Sequence, residues 1–319
     1  MGTLYIDRRD IVVKLDGMAL SFYNNGLREG IVPIRPLKRV IVIGNISLET
    51  GVLHKLSGEG ISVLFLSGKR QMFCGRLQGR IHNNGLLRVK QYGKSLSPFA
   101  MEAALDLVRR KISARRNFMQ EVIKKRPALR YPLTRAIAVM ETCLKKIDGY
   151  SGNMDSLRGV EGSADAAYFK AFTKMFPPSL KFTGRNKRPP RDPVNAMLSL
   201  CYTMLHFEIV REIEVIGLDP VIGFYHQFEY GRESLACDLI EPYRPLVDRF
   251  VWDIFRDRIF TQRDFVANDE RPGTYLKKGS RKRYYPLYEE WAKEIRIMLT
   301  EETRSLARRI LDGQDPLPE

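Results

Sequence analysis

Cysteine and histidine are scarce in this chain, with four of each among 319 residues. Cys74, Cys143, Cys201 and Cys237 stand far apart and form no CxxC pair. A disulfide framework or a cysteine-held zinc is therefore not expected, and isolated thiols suit a cytoplasmic chain. Long hydrophobic runs are missing too: nothing approaches the roughly 18 to 20 apolar residues that a membrane-spanning helix needs. The opening MGTLYIDRRD carries acid and base where a signal peptide would have its apolar stretch. Gly2 follows Met1, but Ile6 occupies the place where myristoylation needs Ser or Thr. No internal repeat and no long low-complexity linker interrupts the chain. Negative charge is in deficit as well: 37 acidic residues face 53 basic ones, a formal charge of +16. An excess of this size favours a polyanionic partner. Nucleic acid comes ahead of a membrane surface, because no basic amphipathic helix with bulky aromatics is present.

Apolar residues make up 44% and charged residues 28%, the balance of a globular protein with a core of real size. The first ninety residues read as strands. DIVVKLDGMALSFYN is two β-rich runs around Asp16 and Gly17, a hairpin signal. LKRVIVIGN and ISVLFLSG are buried strands, and Leu48, Val52, Leu53 and Leu56 between them have helical spacing. QMFCGRLQGR reads as a further strand pair. From Pro98 onward the period becomes helical, with Lys and Arg on the outer face of the segment from 98 to 125. Helical patterning recurs at 132–147, 163–175, 192–216, 241–259 and 286–311. The expectation is an α+β chain of two domains: a β-rich domain with one helix over 1–90 and a mostly α-helical domain over 98–319, joined by a short hinge near 85–97.

Four stretches could carry chemistry. In LRGVEGSADAAYFKAF, Glu161 sits before a helix whose expected N-cap is Ser163; by itself it reads equally as an exposed acid near a helix start. In GFYHQFEYGRESLACDLIEPYRPLVD, His226 lies on a strand-like apolar run, where a satisfied core histidine is the ordinary explanation. Asp238 and Glu241 follow at i and i+3, about 5–6 Å apart on one helical face. Two acids so close need a cation, and either a metal or Arg244 could serve. The third stretch crowds Lys181, Arg185, Lys187, Arg188 and Arg191 just before a helix that Asp192 caps and Pro193 begins. Backbone N–H groups at a helix start favour phosphate, although a charge run is also what a solvated loop looks like. The fourth, LKKGSRKRYY, sets Lys277, Lys278 and Arg281 beside two tyrosines able to stack on bases. Hard oxygen donors with one imidazole suit Mg2+ or Mn2+, the single nitrogen leaning toward Mn2+, whereas zinc would draw more His or Cys. Such an ion beside a phosphodiester can polarise the phosphorus and activate an attacking hydroxyl.

Three of these stretches, in this order, resemble the motifs of the universal CRISPR-associated endonuclease and integrase of spacer acquisition. GVEGSADAAYF is similar to its glutamate motif, RNKRPPRDPVNAMLSLCYTML to its Arg-rich loop and following helix, and GFYHQFEYGRESLACDLIEPYRPLVD to its histidine motif. The resemblance spans essentially the whole chain. It implies that Glu161, His226 and Glu241 hold a divalent metal, with Asp238 a further catalytic acid beside them; many members have Asp where this chain has Glu241. It implies metal-dependent strand transfer, in which the 3′-hydroxyl of a short captured DNA attacks a phosphodiester of the CRISPR repeat, and cleavage of branched DNA, the reverse reaction. It also implies homodimers, two of them bridged by a small CRISPR-associated adaptation partner; apolar runs such as RVIVIG and ISVLFL in so short a β-rich domain lead us to expect that domain to make the dimer contact. Arg185, Lys187, Arg188, Arg191, Lys277, Lys278 and Arg281 are the expected DNA contacts. The competing reading is a catalytically idle nucleic-acid-binding scaffold.

Overall fold

A computed structural model describes residues 2–68, 72–79, 84–186, 189–226, 228–267 and 273–312. It divides into two compact units: residues 1–83 with Arg281–Arg296, and residues 84–280 with the stretch from Ile297 to the end.

The first unit is built of strands. Its order is β1 (Thr3–Ile6), β2 (Ile11–Asp16), β3 (Ala19–Asn24), β4 (Leu27–Pro33), β5 (Arg39–Ile43), β6 (Ser47–Leu48), α1 (Thr50–Gly58), β7 (Ser62–Leu66) and β8 (Phe73–Leu77). One four-stranded sheet runs β4-β3-β2-β6 and the other β1-β5-β7-β8. The expected hairpin is present: Asp16 pairs with Ala19, and Gly17 takes the positive φ that the tight turn requires. Strands β1, β5 and β7 are parallel, so α1 supplies the crossover between β6 and β7 and turns Val52 and Leu56 into the core. There they meet Ile11, Val13, Leu20, Ile34, Val40 and Val42, all nearly inaccessible. The stretch from 71 to 80 yields one described strand, β8, paired antiparallel with β7, where a strand pair was expected.

The second unit is mostly helical: α2 (Gly85–Ser95), α3 (Pro98–Lys125), α4 (Arg130–Ile147), α5 (Met154–Phe172), α6 (Pro193–Ile216), α7 (Ser234–Ile240) and α8 (Arg244–Arg256), with a hairpin of β9 (Phe265–Ala267) and β10 (Thr274–Leu276). The last helix, α9 (Lys278–Ile310), contributes Arg281–Arg296 to the first unit and its remaining residues to the second. Capping chemistry explains several ends. Ser97 accepts from the Phe99 N–H with Pro98 at the first helical position of α3, and Asp192 accepts from the Asn195 N–H at the start of α6. Gly217, at φ +98°, closes α6 in the left-handed region.

Three boundaries differ from the sequence reading. The expected hinge is occupied by α2, whose Asn84 side chain caps it through the Leu87 N–H. Helix α5 starts after Asn153, not Ser163, so Glu161 lies inside it. Helix α9 begins at Lys278, so the late basic run is helical. Among the described residues, no helix is long and apolar enough to cross a membrane.

Candidate active site

Helices α3 and α5 meet through matched charges. Lys111 and Arg115 lie four residues apart on α3, and Glu161 and Asp165 four apart on α5, so each pair shares one helical face. The Lys111 ammonium is 3% exposed and contacts Glu161 Oε1, Asp165 Oδ2 at 3.1 Å and Glu241 Oε2 at 2.7 Å. Arg115 pairs with Asp165 and lies over the ring of Tyr168, 4.4 Å from its centre. Burial works against the charge on Lys111, but the three carboxylates around it, Glu241 foremost, hold its pKa above the ordinary lysine value.

Glu241 stands in a 3-10 turn between α7 and α8 and is 4% exposed. Its Oε1 accepts from Arg244 Nε at 2.7 Å, while Oε2, close to the Lys111 ammonium, makes no well-angled hydrogen bond. Burial pushes this carboxyl up, yet Arg244 and Lys111 outweigh it and keep it well below the usual carboxylate range. On the other side, Glu161 Oε2 accepts from the Tyr225 hydroxyl at 2.6 Å. Burial and the neighbouring Glu161 charge push that phenol far above its ordinary value, so it remains a donor.

His226 occupies a bend, not a strand. Asp238 organises this bend. Its Oδ2 accepts from the N–H groups of Phe224 at 2.5 Å and Tyr225 at 3.0 Å; its Oδ1 accepts from the N–H of His226 at 2.9 Å and lies 2.7 Å from the imidazole Nδ1. Gly223 permits the approach, since a Cβ there would fall 2.7 Å from Asp238 Oδ2. A buried carboxylate facing Nδ1 favours the tautomer with the ring proton on that nitrogen. Asp238 and Glu241 therefore do not form the acid pair expected from their spacing. Helix α7 stops at Ile240, and each acid serves a different partner.

By chemical type alone, carboxylates and an imidazole are donors that suit a hard divalent cation. Glu161 and Glu241 converge on one positive charge, and the imidazole of His226 is oriented by Asp238. In this geometry the cation between the carboxylates is the Lys111 ammonium. No group of three or more His, Cys, Asp or Glu side chains among the described residues is arranged to hold a metal.

The expected DNA contacts fall into three groups. Arg191, Lys277 and Lys278 are exposed. A hydrogen bond from Thr274 N–H to the Pro190 carbonyl, 2.7 Å, ties the two basic stretches to one another. Arg185 instead points inward, donating to Asn195 Oδ1 at 2.8 Å and to Ser199 while lying over Tyr202; Arg281 is 6% exposed and paired with Asp7. Neither is presented to a phosphate in this geometry. Lys187 and Arg188 lie outside the described residues.

Sequence reasoning missed Lys111, Arg115, Asp165 and Tyr225. It placed the basic residues of α3 outside, whereas Lys111 and Arg115 are buried among Leu107, Val108, Ile112, Phe118 and Met119. The signal was available: both cations fall in phase with that apolar stripe, where a charge must find a partner.

The family model for CRISPR associated protein Cas1 matches residues 4–290. A curated relative, CRISPR-associated endonuclease Cas1 1 of Thermodesulfovibrio yellowstonii, is 53% identical over 315 residues, 99% of either chain. Among solved structures, a CAS1 protein from Thermotoga maritima superposes with a TM-score of 0.82 at 22% identity, covering 100% of both chains. A casposase bound to integration product reaches 0.84 at 18% identity, covering 98% of this chain and 92% of the other. Two independent signs, the fold and the whole-length sequence match, agree with the three motifs, and the chain belongs to the Cas1 family of CRISPR-associated proteins.

Proposed function

We propose that this protein is a divalent-metal-dependent DNA endonuclease and integrase, which inserts short captured DNA segments into a CRISPR array by 3′-hydroxyl attack on repeat phosphodiesters. The observation that carries this reading is the convergence of Glu161 and Glu241 on one cation, in a chain 53% identical to a curated endonuclease.

Glu161, Glu241 and Nε2 of His226 would hold the ion, Mg2+ or Mn2+. When bound it supplies Lewis acidity at the phosphoryl group and lowers the pKa of the attacking hydroxyl. The chain's own residues do the positioning. Tyr225 holds Glu161 through Oε2, Arg244 holds Glu241 through Oε1, and Arg158 fixes the His226 loop by donating to the Tyr225 carbonyl at 2.9 Å. Arg244 rests on the ring of Tyr202, whose hydroxyl, with that of Tyr168, donates to the buried Asp248. That layer fixes the guanidinium from behind, which is the support a reactive centre needs. Arg191, Lys277 and Lys278 serve as phosphate contacts that track the DNA backbone.

A homodimer joined by the β-rich unit, and a small adaptation partner bridging two dimers, complete the reading. Its support is the exposure of Met18 in the β2–β3 turn and of Leu27 and Ile31 on the edge strand β4, with 52%, 74% and 51% of their surface free. Incubation with branched DNA tests the activity: cleavage in Mn2+ or Mg2+ that disappears in EDTA is expected. Intact substrate under every condition, with DNA still bound, would instead make the chain an idle scaffold.

A further inference from the structure

Lys111 is a cation in the place where the proposed function needs a metal. Its ammonium touches Glu161 and Glu241, the two carboxylates assigned as ligands, and also Asp165, which is not. It is held on α3, a helix that carries none of those acids. The charges around it balance: Glu161, Asp165 and Glu241 face Lys111, Arg115 and Arg244. A divalent ion added to this set would leave an uncompensated double charge in a buried site, at contact distance from an ammonium.

The geometry points to a two-position lysine. We propose that Lys111 is a resident counter-cation that keeps Glu161 and Glu241 together in the metal-free protein and withdraws onto Asp165 when a divalent cation enters. This rests on the metal reading above.

Two features suit the exchange. The contact with Glu241 Oε2 is an ion pair at 2.7 Å, an attraction that an incoming divalent ion at the same oxygen would replace. Asp165 lies one helical turn beyond Glu161, 31% exposed at its side chain, and already receives the ammonium at 3.1 Å, so withdrawal needs only a change of lysine rotamer. Arg115, buried at 1% exposure and stacked on Tyr168, stays behind to complete the compensation of Asp165. The device has a use. Without any cation, two buried carboxylates would repel and the ligand geometry would open; with Lys111 between them they stay poised, at the cost of weaker metal affinity.

Calorimetric titration of the full chain with Mn2+, without DNA, tests the idea. Lys111→Met should bind Mn2+ about tenfold or more tightly than wild type, because one positive charge has left the site. In EDTA its melting temperature should fall, and Mn2+ should raise it by more than it raises wild type. Asp165→Asn should weaken Mn2+ binding in the wild-type background and do so much less in Lys111→Met, because Asp165 acts by receiving the ammonium. Lys111→Arg keeps the charge and should gain no affinity. If Lys111→Met does not fold, a crystal of the wild-type chain with Mn2+ decides. The ammonium should then lie on Asp165 and out of reach of Glu161 and Glu241. An ammonium still between the two glutamates with metal bound, or Lys111→Met binding no more tightly than wild type, overturns the proposal. No Mn2+ binding by wild type at all would defeat the metal reading instead, and loss of binding in Glu161→Gln and Glu241→Gln is the control that separates the two failures.

Discussion

Asp238 receives three backbone N–H groups and the imidazole Nδ1 on its two oxygens, and is 2% exposed. An amide in its place would turn a donor toward donors. Asp238→Asn should therefore cost about 2–3 kcal/mol, the range for a lost charge-assisted bond in a buried setting, and denaturant melts at neutral pH measure it. It should also reduce strand transfer by about 10- to 100-fold, as loss of a group that orients a metal-binding histidine does. A variant as stable and as active as wild type would show that Asp238 does not set the His226 ring. Glu161, His226, Asp238 and Glu241 stood out in the sequence; their partnerships did not. Asp238 and Glu241 look paired because spacing assumes an unbroken helix, but Pro242 lacks the N–H that would continue it, and Glu241 opens a tighter turn. Lys111 escaped notice because a lysine in a basic, amphipathic helix is read as surface, and only its phase against the apolar stripe says otherwise.

Among the elements, the strands of the first unit and most helices of the second were legible from period and caps, since each is set by near neighbours in the chain. What periodicity could not show is that residues 281–296 belong with strands some 280 positions earlier. Glu289 makes that link: it accepts from Tyr5 at 2.6 Å, Thr3 at 3.0 Å and Arg296 at 2.8 Å, while Tyr5 stacks on Tyr285 at 4.2 Å. Burial pushes the Glu289 carboxyl up, but Arg296 and Tyr5 more than reverse this, so its folded pKa lies below the ordinary 4.5. A depressed folded value means that the bond network contributes fully above the unfolded pKa and is lost as pH falls through the folded one. Glu289→Gln should destabilise the protein at pH 7 and progressively less below about pH 4.5. Denaturant midpoints measured across that interval check it; a difference independent of pH would mean that the charge on Glu289 contributes nothing.

Taken as a whole, the chain joins a formal charge of +16, which favours a polyanionic partner, to a small site of buried carboxylates held by paired cations. Met18 in the β2–β3 turn and Leu27 and Ile31 on the edge strand β4 are exposed apolar side chains of the first unit, the kind of surface that pairing across a two-fold axis would cover. Light scattering at micromolar concentration should find a dimer, and Leu27→Glu with Ile31→Glu should yield a monomer; an unchanged dimer in the double variant would move the contact elsewhere. The central claim is more direct still: Glu161, His226 and Glu241 act together on a phosphodiester. Strand transfer of a short 3′-hydroxyl duplex into a CRISPR repeat, in Mn2+, should be lost in Glu161→Ala, in His226→Ala and in Glu241→Ala, with DNA affinity in the same buffer nearly unchanged because binding rests on dispersed phosphate contacts. Transfer near the wild-type rate in any one of the three would contradict the account.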